Sequence, residues 1–435
     1  MQYYSTNKSV PEVSLKLAVT KGLADDKGLF MPERINQLPA SFFETIEQLS
    51  FQEISFEVAK AFFGEDIPEA DLKALVFDTL QFDCPIVPVH DNIYSLELFH
   101  GPTLAFKDVG GRFMARLLGY FLKGNKEHVN VLVATSGDTG SAVANGFLGV
   151  PGIDVYVLYP KGLVSEIQEK QFTTLGQNIT SLEIDGTFDD CQRLVKSAFM
   201  DETLKSKLTL TSANSINVAR FLPQAFYYFN AYARLKEKGL QDELVVAVPS
   251  GNFGNLTAGL FAQKMGLPIK RFIAANNEND IVYQYLQTGE YKPRPSVATI
   301  ANAMDVGDPS NFARILDLFD NSHEAICSVM KGFRYSDAEI REVLLKVYTE
   351  KNYLLDPHGA CAYKALAKDL GEGEVGVFLE TAHPAKFTET VEQIIGKGNV
   401  PLPEKLAEFM KGEKLSVELS TSFDDFQKFL LETAK

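Results

Sequence analysis

Short β-branched runs recur along this chain, each followed by a glycine-bearing turn and a segment of helical periodicity. VNVLVAT (129–135) precedes SGDTGSAVANGFLG, IDVYVLY (153–159) precedes SEIQEKQFTTLG, and ITSLEID (179–185) precedes TFDDCQRLVKSAF. LTLTSA (208–213) precedes NVARFLPQAFYYFNAYARLKEKG, ELVVAVPS (243–250) precedes GNFGNLTAGLFAQKMG, and VGVFLET (375–381) precedes AKFTETVEQIIG. Strands this uniformly apolar belong in a parallel sheet covered by helices on both faces. The number of units predicts two such sheets, an α/β architecture with two open parallel-sheet domains.

The rest of the chain is organised around these units. At 435 residues it is too long for one hydrophobic core. Residues 1–80 are helix-rich, with apolar periodicity in FFETIEQLSFQEISFEVAKAFF, and read as an N-terminal accessory domain. Residues 81–400 hold the two α/β domains. A separate helix is predicted over 336–351, where Ser336 and Glu339 stand at capping-box spacing. Residues 401–435 read as helix, short strand and helix, a C-terminal extension packed on the main body.

Charge narrows the function. A net charge of −15 argues against a nucleic-acid surface, which needs clustered Lys and Arg. It leaves room for a small anionic ligand, held by local cations and backbone amides. No apolar run approaches membrane-spanning length, and MQYYSTNKSV has no signal-peptide pattern, so a cytoplasmic protein is expected. Cys84, Cys191, Cys327 and Cys361 are far apart and form no CxxC pair, so reduced thiols are expected, with no metal site. No HExxH or GxSxG occurs, and GEGEVG (371–376) precedes its strand, which is wrong for a dinucleotide turn.

In open α/β sheets ligands bind beyond the carboxyl ends of strands. SGNFGN (250–255) opens a helix directly after a strand, where glycines and free N–H groups can cradle a phosphate. SGDTG (136–140) has the same position on another strand and can hold a carboxylate or a phosphate, or simply start a helix. Lys107 lies in HGPTLAFKDVGGR, inside an apolar run ended by two glycines. Such a lysine snorkels to solvent, pairs with an acid such as Asp108, or serves as a Schiff-base amine tuned by a desolvated pocket. The last reading accounts for a phosphate cradle and a carboxylate cradle on neighbouring strands. Pyridoxal phosphate needs a lysine, a phosphate site and a partner for its ring nitrogen, and its amino-acid substrate needs a carboxylate site.

LFHGPTLAFKD (98–108), ATSGDTGSA (134–142), SANSINVARFLPQ (212–224), SGNFGN (250–255) and ETAHPAKF (380–387) resemble, in order, the motifs of the long-form threonine synthase family. The resemblance covers nearly the whole chain. It implies a fold-type II (tryptophan synthase β-like) pyridoxal 5'-phosphate enzyme that converts O-phospho-L-homoserine and water to L-threonine and phosphate. It further implies that Lys107 carries the cofactor and acts as general base. Gly251, Asn252, Phe253, Gly254 and Asn255 would hold the cofactor phosphate, and Thr381 the pyridine nitrogen. Ser136, Gly137, Asp138 and Thr139 would receive the substrate carboxylate, and Ser215 and Arg220 its phosphate, with Asn214 or Asn217 as helpers. Related fold-type II enzymes often carry Asn at the position of Asp138. A threonine-synthase-like phospholyase or a serine/threonine dehydratase would share Lys107 and the cradle, and a non-catalytic anion-binding protein could share the fold. A small-molecule substrate, no nucleic-acid or membrane partner, no metal, and a monomer or homodimer are expected.

Overall fold

Both expected sheets form in a computed structural model of the chain, which describes residues 1–124 and 127–435. The chain divides into two units. One comprises Met1, Met31–Phe106 and Phe221–Pro401; the other comprises Gln2–Phe30, Lys107–Arg220 and Leu402–Lys435.

The first unit holds a six-stranded sheet, ordered Met330–Arg334, Arg271–Asn276, Leu244–Pro249, Val375–Glu380, Ile93–Glu97, Ile86–His90. Its neighbours run parallel except the last pair, which is antiparallel and slips register between Pro88 and His90. Pro88 cannot donate to a ladder and sits where that costs least, on an edge strand. The second unit holds a fully parallel five-stranded sheet, ordered Val417–Leu419, Ile179–Ile184, Ile153–Pro160, Val129–Ala134, Thr209–Ser212. Every residue of Leu244–Pro249, Val129–Ala134 and Val375–Glu380 is buried, as two helix-covered faces require.

Local signals fix the helix ends. Ser336 caps Asp337–Lys351 in the expected capping box with Glu339, and Ser50 with Glu53 does the same for Phe51–Phe63. Asp356 caps Pro357–Asp369 with Pro357 in the first turn. The long helix expected after Asn217 is instead broken into Val218–Phe221, a 3-10 turn over Leu222–Gln224, and Ala225–Lys236. Pro223 is the cause, since it has no N–H for the ladder and its ring crowds the preceding turn. In the six-stranded sheet, Ile86–His90, Arg271–Asn276 and Met330–Arg334 escape the pattern. Two are sheet edges with polar residues, and the third, RFIAAN, is short and alanine-containing.

Residues 1–80 contribute the helices Leu15–Lys21, Ala40–Thr45, Phe51–Phe63 and Glu69–Thr79, and an antiparallel pair, Gln2–Ser5 with Val13–Ser14. The last residues form Glu404–Met410, Val417–Leu419 and Phe423–Thr433, the helix–strand–helix order expected. Among the described residues no helix is long and apolar enough to cross a membrane.

Candidate active site

The residues singled out from the sequence fall into two sets, one in each unit. In the second unit, Lys107 is the first residue of the helix Lys107–Leu122 and is partly buried. The two glycines after it are explained by close packing. A Cβ on Gly110 would overlap the carbonyl oxygen of Arg220, and one on Gly111 would lie 2.9 Å from the carbonyl oxygen of Ala142. Arg220 is 2% exposed. Its Nε donates to the carbonyl of Ala213 at 2.7 Å and its Nη1 to the carbonyl of Lys107 at 3.1 Å. The guanidinium therefore braces the main chain that carries the lysine.

Ser136, Gly137, Asp138 and Thr139 form the turn into the helix Asp138–Phe147. Gly137 stands at the N-cap with φ 142° and ψ −86°, a conformation closed to other residues, and no side chain caps the helix from that position. Thr135 substitutes in part for the missing cap, because its hydroxyl accepts the N–H groups of Gly137 and Gly140 at 2.9 and 2.8 Å. Asp138 is buried and accepts a hydrogen bond from Gln168 Nε2 at 2.9 Å. Neither Thr135 nor Gln168 was singled out from sequence. Thr135 lies inside a quoted motif, but Gln168 lies thirty positions from its partner and carries no local signal.

Ser215 is partly buried, in the turn before Val218–Phe221. The two asparagines beside it divide. Asn217 is fully buried and spends its amide on backbone carbonyls, Val19 at 2.9 Å and Ser212 at 3.2 Å, while its oxygen accepts the N–H of Ala219. It builds the turn. Asn214 donates to the carbonyl of Ala134 at 3.2 Å, linking this turn to the strand before SGDTG.

In the first unit, Gly251–Asn255 join the strand Leu244–Pro249 to the helix Gly254–Lys264; this strand and the one before SGDTG belong to different sheets, so the two cradles are not on neighbouring strands as the sequence suggested. Phe253 occupies the N-cap in the left-handed region with φ 61°, and no side chain caps the helix. Its first N–H groups thus have no acceptor from the helix itself. Asn252 Oδ1 accepts the N–H of Ser310 at 2.6 Å. Asn255 Oδ1 accepts the hydroxyls of Tyr227 and Tyr228, each at 2.7 Å, which leaves Nδ2 as a buried donor without an acceptor. Burial pushes the Tyr228 phenol well up, so it stays a donor.

Thr381 follows the strand Val375–Glu380 and is 7% exposed. Its carbonyl accepts the N–H of Phe106 at 2.8 Å, and Ala382 bridges to Ala105 beside it. Among the described residues its hydroxyl has no hydrogen-bond partner. It does not cap the turn that follows: His383 does, its Nδ1 accepting the N–H of Ala385 at 3.1 Å.

These features fit pyridoxal phosphate. The uncapped helix start with an orphaned amide donor suits a phosphate, and an unengaged hydroxyl on a largely buried threonine suits a ring nitrogen. A parallel α/β fold with such a turn and a lysine at a helix start defines a pyridoxal-phosphate-dependent enzyme, and the family model described as "Pyridoxal-phosphate dependent enzyme" matches residues 86–381. Models described as "Threonine synthase N terminus" and "Threonine synthase, C-terminal" match residues 2–80 and 359–430. The chain belongs to the threonine synthase family, and its cofactor is pyridoxal phosphate. It is 47% identical to threonine synthase of Haemophilus influenzae over all of both chains. It is similar to the crystal structure of threonine synthase from Escherichia coli, with a TM-score of 0.93 at 44% identity, covering 99% of this chain and 100% of that one. It is also similar to the PLP-bound threonine synthase from Brucella melitensis, with a TM-score of 0.92 at 34% identity and 99% of both chains covered.

Proposed function

We propose that this chain converts O-phospho-L-homoserine and water to L-threonine and phosphate, with Lys107 as cofactor carrier and general base. The observation that carries the reading is the hydrogen bond from Arg220 Nη1 to the carbonyl of Lys107, which sets a phosphate-matching guanidinium on the backbone of the reactive amine.

Arg220 and Ser215 hold the substrate phosphate. Ser136, Gly137 and Thr139 receive its carboxylate at the start of the helix Asp138–Phe147, with Asp138 fixed by Gln168. Gly251–Asn255 hold the cofactor phosphate, and Thr381 faces the ring nitrogen with a neutral hydroxyl. Pyridoxal phosphate, when bound, supplies a conjugated ring that withdraws electrons from the substrate Cα. The Lys107 amine removes the proton at Cα, and a further proton leaves Cβ. The Cγ–O bond then breaks, and phosphate departs with the bonding pair towards Arg220. A proton returns to Cγ, water adds its oxygen at Cβ, and a final proton at Cα completes threonine.

In the same reading, residues 1–80 are an accessory domain, 81–400 the catalytic region and 401–435 a C-terminal extension. The enzyme works in the cytoplasm as a monomer or homodimer. Incubation with phosphohomoserine, followed by assay of threonine, 2-oxobutyrate and phosphate, tests the reaction. Threonine with equimolar phosphate is expected; 2-oxobutyrate as the main product would make the chain a phospholyase. Lys107→Ala is expected to abolish both turnover and the visible absorption of bound cofactor. Borohydride-fixed cofactor on that variant would remove Lys107 from its role.

A further inference from the structure

Behind Thr381 lies a buried polar chain that has no part in the reaction steps. The Asp356 carboxylate is fully buried and accepts from four sides. Oδ2 accepts the N–H of Ala382, next to Thr381, at 3.3 Å. Oδ1 accepts the N–H groups of His358 and Gly359 and lies 2.7 Å from His358 Nδ1. The main-chain N–H of Asp356 in turn donates to Glu380 Oε1 at 2.5 Å, on the residue before Thr381.

His358 is 2% exposed, and its Nε2 accepts the N–H of Ala303 at 3.1 Å. A ring nitrogen that accepts carries no proton, so the proton is on Nδ1 and points at Asp356. The pairing therefore fixes one neutral tautomer. Ala303 then reaches the phosphate turn: a Cβ on Gly251 would come within 2.8 Å of both the Ala303 carbonyl oxygen and Met304 Cα. A continuous path thus runs from Ala382 through Asp356, His358 and Ala303 to Gly251. Its two ends are the ends of the cofactor cradle.

We propose that Asp356 and His358 are positioning residues for the cofactor, tying the strand end that carries Thr381 to the turn that carries Gly251. The proposal rests on the reading of Thr381 and Gly251–Asn255 as cofactor-binding. The pair acts through main-chain groups and touches no reacting atom. It works as a spacer: the ring-nitrogen partner and the phosphate turn keep one separation because a single buried carboxylate and a single tautomer set it. Packing alone would not need the tautomer.

The test uses full-length protein in three forms: wild type, Asp356→Asn and His358→Phe. Asp356→Asn keeps the shape but must turn an NH2 towards either Ala382 N–H or His358 Nδ1, which opposes the tautomer or frees the strand end. His358→Phe keeps a ring and removes both hydrogen bonds. Measured quantities are pyridoxal phosphate affinity by equilibrium dialysis, the visible band, the phosphorus-31 shift of bound cofactor and the melting temperature of the apo-protein. Both variants are expected to bind cofactor about ten- to a hundredfold more weakly, the effect of one or two charge-assisted hydrogen bonds. The visible band and the phosphorus shift are both expected to move, since each variant touches both ends. Wild-type affinity, band and phosphorus shift in Asp356→Asn, with only the melting temperature lowered, would overturn the proposal, whether or not His358→Phe folds. A wild type that takes up no pyridoxal phosphate would overturn the functional reading instead.

Discussion

Arg220 braces the backbone of Lys107 and, in the proposed reading, also holds the substrate phosphate, and its variants can separate the two. It is buried against Gly110 and Gly111 and donates to Ala213 and Lys107. Losing a charge-assisted hydrogen bond removes roughly 1.5–3 kcal/mol. Arg220→Ala should therefore lower kcat/KM for phosphohomoserine by about ten- to a hundredfold or more. Arg220→Lys should not restore it, because an ammonium lacks the planar fork that reaches two carbonyls and a phosphate together. Steady-state kinetics on both variants checks this, and full rescue by lysine would reduce Arg220 to a point charge. His383 carries a pH effect. Burial holds it at about 4, below its ordinary 6.5. As pH falls through 6.5 the unfolded chain takes up the proton first, so stability present above pH 6.5 is lost on the way down to about 4. In His383→Asn an amide oxygen can replace Nδ1 as the cap. Its melting temperature should fall less than that of wild type between pH 7 and pH 4.5, and parallel curves would count against the assignment. Sequence could single out residues within motifs, Lys107, Arg220 and Thr381, whose roles are those proposed. Gln168, His358 and Glu380 act on partners brought close by the fold, and no spacing announces them; the local pattern announces Asp356 only as the cap of Pro357–Asp369, not as the acceptor for Ala382.

Elements were legible where one local rule decides them. Ser336 with Glu339 marks a helix start, and buried strands such as Val129–Ala134 are apolar throughout. Elements were lost where tertiary context decides them, as in the edge strand Met330–Arg334 and the break at Pro223 inside a run of otherwise helical periodicity. Gly359 illustrates the second kind. Nothing in PHGACAYKAL asks for a glycine in the first turn of Pro357–Asp369. The reason is Glu380, whose Oε2 would overlap a Cβ at that position. Burial and the facing Asp356 push the Glu380 carboxyl well up, so it is held as the neutral acid. Two opposite expectations follow. Gly359→Ala must move either the helix start or the acid, an overpacking cost of about 1–3 kcal/mol. Glu380→Gln keeps both shape and neutrality and should cost less than about 1.5 kcal/mol. Urea unfolding at pH 7 decides between them; a larger loss in Glu380→Gln than in Gly359→Ala would mean that the carboxyl is ionised.

At the scale of the whole molecule, both ends of the chain are built into the unit that holds Lys107. Residues 2–30 and 402–435 share it with 107–220. Val417–Leu419 is the edge strand of the five-stranded sheet, paired with Leu182–Ile184, and the Leu419 carbonyl accepts the N–H of Asp185 at 3.0 Å. Phe426 and Leu430 are fully buried in the cluster formed by Leu158, Leu182, Cys191 and Leu194. Lys414 pairs with Glu169 at 2.7 Å and Glu183 at 2.8 Å, and Asn130 donates to the Lys435 carbonyl at 2.8 Å. Removing residues 402–435 would therefore expose an apolar cluster and leave Leu182–Ile184 without its edge partner, the kind of edge that recruits other chains. Phe426→Ala empties the cluster without touching the edge and should cost about 3–5 kcal/mol. That is a large share of the ~5–15 kcal/mol stability of a typical domain. The two changes should differ in kind: Phe426→Ala stays a soluble species of unchanged size with a lower melting temperature, while the truncated chain associates. Size-exclusion chromatography and thermal unfolding of both distinguish them. A truncated chain that elutes as wild type does and melts within a few degrees of it would show that the parallel edge tolerates water and that residues 402–435 contribute little to this unit.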